Sequence, residues 1–170
     1  MNGVKKVFLE WFFPVALAIT IAILINKFLV FNIEVPTGSM KPTIEPGDKF
    51  VASRIYNFEN IKRGDILIFD SNFENSVYIK RVIGLPKETV DIKSGKVFVD
   101  GKEIEEDYVK FPKETNEHFE VPEGSYLFLG DNRADSKDAR YWDNPYIKKE
   151  AIKGKAQIRI YPFNKMGSIE

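Results

Sequence analysis

The chain has no cysteine and only one histidine, His118, among its 170 residues. Without thiols there are no disulfides, no thiolate metal sites and no cysteine nucleophile. One histidine cannot build a His-cluster metal site, and its polar context, TNEHFEVP, reads as exposed strand or loop. No charge sign dominates either: 25 Lys plus Arg balance 25 Asp plus Glu, so nothing global argues for nucleic acid. Internal repeats, low-complexity tracts, phosphate loops and dinucleotide fingerprints are all missing, and no cofactor or metal is expected. The nucleophile motifs G-x-S-x-G and S-x-x-K are absent as well.

What the chain does have is one long apolar run. Trp11 to Phe31 carries a single charge, Lys27, close to its far end. A helix needs about 20 residues to cross a hydrocarbon core, and Lys27 can extend its ammonium to the interface. Pro14 falls near the first turn, where a missing N–H does least harm. A cleavable leader would have an apolar core of about 7–15 residues and a small-residue exit, whereas here the bulky KFLVFNIEV follows. The run therefore reads as a retained single-pass anchor in the cell membrane. Lys5 and Lys6 precede it and predict a cytoplasmic N-terminus with the rest of the chain outside. The expected division is 1–31, a short cytoplasmic end plus anchor, and 32–170, an extracytoplasmic domain.

Beyond residue 33 the periodicity is that of strands. KFVASRI, DILIFD, VYIKRVIG, ETVDI, KVFVD, SYLFLG and AQIRIYPF are rich in Val, Ile, Phe and Tyr and are bounded by turn residues. Ser94-Gly95 and Asp100-Gly101 supply positive-φ pairs for successive hairpins. A short helix is expected around NPYIKKEAI, 144–152. The predicted fold class is mainly β: an antiparallel, barrel-like catalytic domain with a smaller β insertion at about 90–120, preceded by one transmembrane helix.

Three stretches could carry chemistry. EVPTGSMKPTI, 34–44, holds Ser39 between Pro36 and Pro42, although a proline-flanked Gly-Ser is more often a plain turn. VYIKRVIGLP puts Tyr78, Lys80 and Val82 on one strand face, with Ile79, Arg81 and Ile83 on the other. A lysine there can be a desolvated base or an edge cation that discourages aggregation. GDNRADSKDARYW, 130–142, packs three aspartates, two arginines and a serine into one loop, which alone could be a solvated surface.

Taken in order, TGSMKPT after an apolar helix, KRVIGLP and GDNRADSKDAR resemble the type I signal peptidases (bacterial leader peptidases), membrane-bound Ser/Lys proteases. RGDILIF and VDGK add to the resemblance, which spans the chain in the compact style of the Gram-positive enzymes. It implies a serine endopeptidase removing N-terminal signal peptides from exported preproteins, after small residues at A-x-A sites. By the same match Ser39 is the nucleophile, Lys80 the general base and Ser136 the hydroxyl that orients the lysine. Thr37 joins the Ser39 N–H in the oxyanion hole, and Asp131, Asp138 and Arg140 hold the site together. Ile33, Val35, Pro36, Tyr78 and Ile79 match the substrate-binding strands. The implied partners are preproteins and membrane lipids, with the export machinery nearby. The sequence departs from the family at Thr37, Ala139, Asp143 and LPKET. The other reading of the chain is a membrane-anchored, inactive β module that binds exported peptides by strand addition.

Overall fold

A computed structural model describes residues 8–71 and 76–169. Lys5 and Lys6, on which the expected orientation rests, lie outside the described residues. The chain divides into two compact units, Met1–Phe31 and Asn32–Glu170.

The first unit is helical. A π-helical turn, Phe8–Phe12, leads into α1, Phe13–Phe28, with Pro14 in the first turn. No residue of α1 is buried, although most of its side chains are apolar. Its internal polar groups find partners on the helix itself: Thr20 Oγ1 donates to Ala16 O at 2.8 Å and Asn26 Nδ2 to Ala22 O at 3.0 Å. That is what a lipid environment demands, since it offers no water to satisfy them. The stretch Glu10–Phe28, 19 residues, is long and apolar enough to cross a membrane. The helix stops at Phe28, short of the expected Phe31. The Leu29 amide bonds Ile25 O at 2.8 Å to close the last turn, and the β-prone VFNIE that follows forms β1, Val30–Glu34.

The remaining strands are β2 (Lys49–Arg54), β3 (Ile66–Asp70), β4 (Val77–Gly84), β5 (Thr89–Lys93), β6 (Lys96–Val99), β7 (Lys102–Glu103), β8 (Glu117–Glu120), β9 (Ser125–Leu129), β10 (Tyr146–Lys148), β11 (Ile152–Tyr161) and β12 (Gly167–Ser168). The large sheet has the order β1-β2-β11-β3-β4-β9-β10, with β12 paired to β11. Its pairs from β2 onward are antiparallel, and it curls into a half-barrel. Register slips in β11 and between Val82 and Gly84 of β4 supply the bends that curling needs. The small sheet has the order β7-β6-β5-β8 and lies entirely within Thr89–Glu120. Its first hairpin turns on Ser94 (φ 48°) and Gly95 (φ 80°), and Asp100 and Gly101 repeat the device after β6.

Both sheets close on one core. Leu67, Phe69, Val82, Ile83 and Phe128 of the large sheet share it with Val90, Ile92, Val97 and Phe119 of the small one. Each such side chain contributes roughly 1.5–3 kcal/mol on burial. Phe69 anchors an aromatic group, 4.4 Å from the Phe128 ring and edge-on to Trp142.

One predicted element is overturned. The run 144–152 is no helix: Tyr146–Lys148 is the edge strand β10, followed by a 3-10 turn, Lys149–Ala151. So short a segment barely supports a helix alone, and pairing Ile147 with Tyr126 buries Ile147 completely.

Candidate active site

The loop after β1 is held by its apolar residues. Val35, Met40 and Ile44 are fully buried, and the Val35 amide and carbonyl bond Asp48 O and Gly47 N at 3.0 and 2.8 Å. Lys41 N donates to Gly38 O at 3.1 Å, closing a turn that contains Ser39, and Ile44 N donates to Met40 O at 2.9 Å in the turn that follows. Ser39 is itself only 7 % exposed. From the far side, Asn132 N donates to Ser39 O at 3.0 Å and Asn132 Nδ2 to Gly38 O at 3.1 Å. The serine is thus fixed by packing on one side and by an asparagine on the other.

Lys80 reaches it from the middle of the large sheet. β4 lies between β3 and β9 and pairs Lys80 with Leu67, so this is no edge lysine. Six consecutive residues from Ile79 to Gly84 are buried, and Lys80 among them is only 2 % exposed. Its Nζ sits 2.5 Å from Ser39 Oγ and 5.3 Å from the centre of the Tyr78 ring. Burial lowers its pKa from 10.5 to about 8; the negative fields of Asp138 and then Asp131 oppose that shift without reversing it. Thr37 Oγ1 lies 3.4 Å from Ser39 Oγ, on the exposed side of the serine.

The loop after β9 surrounds this pair with compensated charges. Asp131, wholly buried, accepts from Arg81 Nε at 2.8 Å, Arg81 Nη2 at 2.6 Å and Thr43 Oγ1 at 2.5 Å. Asp138, also wholly buried, accepts from Gly130 N at 3.0 Å and from Arg140 Nε and Nη2 at 2.8 and 2.9 Å. Two carboxylates this deep are tolerable only with such bidentate partners. Ser136 is buried against Gly130, where an added Cβ would fall inside the Ser136 hydroxyl and the Ser39 carbonyl. Ser136 Oγ makes no hydrogen bond among the described residues, so the expected bond to Lys80 is not formed.

An open cleft of about 280 Å³ borders the pair, lined by Thr37, Gly38, Ser39, Tyr78, Lys80, Asp135 and Lys137. Of the expected substrate-binding residues only Tyr78 lines it. Val35 and Ile79 are buried in the core, Ile33 is half-buried and Pro36 is exposed, none of them on this cleft's wall. Larger hollows near Glu103–Val109 and beside Phe58 lie away from the serine.

His118 stays outside the chemistry. It is exposed on β8, with Nδ1 2.7 Å from Asp91 Oδ1, and that bond raises its pKa. No group of three or more His, Cys, Asp and Glu side chains able to hold a metal occurs among the described residues.

Several residues that shape the site went unassigned in the sequence. Arg81 carried a signal: a cation on an otherwise apolar strand face must find a carboxylate. Gly130, Thr43 and Asn132 carried none, because their roles arise from a contact between loops about 90 residues apart in the chain, such as Asn132 with Gly38.

Comparison with known proteins fits this arrangement. The family described as signal peptidase, peptidase S26, matches residues 8–161. The chain is 35 % identical to a signal peptidase I of Leptolyngbya laminosa, covering 99 % of this chain and 83 % of that one. It is 32 % identical to signal peptidase IB of Staphylococcus aureus, covering 94 % and 93 %. Among solved structures it is similar to a signal peptidase I from Enterococcus faecalis, with a TM-score of 0.53 and 28 % identity. That match covers 59 % of this chain and all of the other.

Proposed function

The chain belongs to the signal peptidase family, peptidase S26, and we propose that Ser39 and Lys80 carry its removal of N-terminal signal peptides from preproteins. The observation that supports this assignment is the 2.5 Å contact between a buried amine and a buried hydroxyl, in a site with no histidine.

A serine hydroxyl attacks a peptide carbonyl only if its proton has somewhere to go. Neutral Lys80 accepts it, and with a pKa of about 8 roughly a tenth of the lysine is neutral at pH 7 and half at pH 8. The attack gives a tetrahedral oxyanion, for which the Ser39 N–H and the Thr37 hydroxyl are the donors. Lys80 then returns the proton to the leaving amine, which becomes the N-terminus of the mature chain. The acyl-enzyme on Ser39 is hydrolysed by a water that Lys80 deprotonates in turn. Ser136 matches the family's orienting hydroxyl, and because its Oγ is unbonded here that role requires its side chain to turn toward Lys80, while Asp131, Asp138 and Arg140 act on the frame.

The cleft of about 280 Å³ beside Ser39 is where the scissile bond of the preprotein would sit. Tyr78 walls it; Ile33 lies in β1 and Ile79 in β4, with Val35 and Pro36 in the loop after β1, and an extended A-x-A segment would follow these stretches. The apolar helix holds this site at the bilayer surface, N-terminus inside, with lipid around it and the export machinery nearby. A preprotein's own signal helix lies in the same bilayer, so enzyme and cleavage site meet at high effective concentration.

The test is cleavage of a preprotein with an A-x-A exit site in detergent micelles by wild type, Ser39→Ala and Lys80→Ala. Only wild type is expected to release the mature chain; full-rate cleavage by either variant would remove that residue from the mechanism.

A further inference from the structure

The segment Glu106–Phe111, which leaves the small sheet after β7, touches the loop after β9 and its partner arginine at three points. Glu106 makes a bidentate ion pair with Arg133, at 3.0 Å to Nη1 and 2.5 Å to Nη2, with the arginine side chain 3 % and the glutamate 10 % exposed. Tyr108 donates its hydroxyl to Glu106 Oε1 at 2.6 Å and lays its ring 3.9 Å from the Arg81 guanidinium. Phe111 O accepts from Ala134 N at 3.0 Å. Both arginines so engaged face the dyad through one further bond. Arg133 Nε donates to Gly130 O at 3.0 Å, and Arg81 holds Asp131. Gly130 in turn abuts Ser136 and the Ser39 carbonyl, and Asn132 bonds that same carbonyl.

We propose that Glu106–Phe111 is a strap by which the inserted sheet positions the catalytic loop, with Glu106 as the positioning residue. The chain of contacts runs Glu106, Arg133, Gly130, Ser39, and each link is buried or nearly so. A displacement of the loop at Arg133 moves Gly130 and Asn132, and with them the carbonyl that sets the angle of Ser39. Glu106 touches neither Ser39 nor Lys80 and has no proton to move in the reaction. Its effect therefore falls on alignment, where a shift of about 1 Å can cost about 10² in rate. This rests on the Ser39/Lys80 reading for its consequence in catalysis, but not for the contacts themselves.

The test uses the full chain in micelles, with two readouts for wild type, Glu106→Ala and Glu106→Gln. The first is steady-state cleavage; the second is hydrogen exchange of the Asn132 and Ala134 amides. Glu106→Ala is expected to lower kcat by about tenfold or more with KM within about twofold, and to leave the pH midpoint of the rate in place. The two amides are expected to exchange at least about tenfold faster. Glu106→Gln keeps an acceptor for Arg133 and should fall between the two in both readouts. A raised KM at unchanged kcat, or amides protected as in wild type, would overturn the proposal. Should the alanine variant not fold, the glutamine variant decides: equality with wild type in both readouts overturns the strap. A wild type that is folded but inert would refute the protease reading, while the exchange rates would still decide the strap.

Discussion

Replacing Lys80 by methionine is expected to abolish cleavage and yet make the protein more stable at pH 7. The lowering of the Lys80 pKa from 10.5 to about 8 corresponds to about 3 kcal/mol of folded-state penalty on the charged amine. That penalty is largest below pH 8, where lysine is protonated in both the folded and the unfolded chain. Between pH 8 and 10.5 the unfolded state binds more protons than the folded one, so stability rises with pH until the penalty is gone. Methionine fills a similar volume without the charge, and the lost hydrogen bond to Ser39 subtracts about 1 kcal/mol. The net expectation is a gain of about 2 kcal/mol at pH 7 that shrinks to nothing, or reverses slightly, by pH 10.5. Denaturant unfolding of both proteins in micelles, repeated at pH 7, 8.5 and 10.5, measures it. A methionine variant less stable than wild type at pH 7, or a difference that ignores pH, would refute the claim that Lys80 is held against its ionisation.

Three other substitutions probe the frame. Thr37→Val keeps the shape and removes the hydroxyl beside Ser39; kcat is expected to fall by about 10²–10³, with Thr37→Ser restoring it, as stopped assays on a preprotein will show. Asp131→Asn leaves Arg81 buried without its anion and should cost about 3–5 kcal/mol in denaturant unfolding. In the same variant one of the fields that raise the Lys80 pKa is gone, so whatever activity survives should reach its half-maximum at lower pH than in wild type. Gly130→Ala has no room for its methyl between Ser136 and the Ser39 carbonyl, and cleavage should be lost with the chain still helical and β by circular dichroism.

The inner strands of the large sheet were readable because their side chains obey one rule. DILIFD and SYLFLG are runs buried on both faces, and both became central strands, β3 and β9. Edge elements obeyed it less. EHFE of β8 buries only Phe119, which gives no periodicity to detect, and NPYIKKEAI has helical residues but an available sheet edge. In the site, Ser39 and Lys80 were visible as residue types in unusual settings, a serine between prolines and a cation in an apolar strand. Sequence could not show that 2.5 Å separates them, because they stand 41 positions apart with two strands between. The Glu106–Arg133 pair was hidden for a similar reason. In the sequence Glu106 is one acid in the polar run EIEEDY, and only the return of the small sheet toward the loop gives it a partner.

In the proposed mechanism a neutral Lys80 takes the proton of Ser39. Its most direct test is the pH dependence of kcat/KM for preprotein cleavage by the wild-type enzyme, from pH 5 to 10. An acid limb is expected with its midpoint near the Lys80 value of about 8, the rate rising through it as the amine loses its proton. A profile that is flat from acid through pH 9, or one that falls as pH rises through 8, would contradict it.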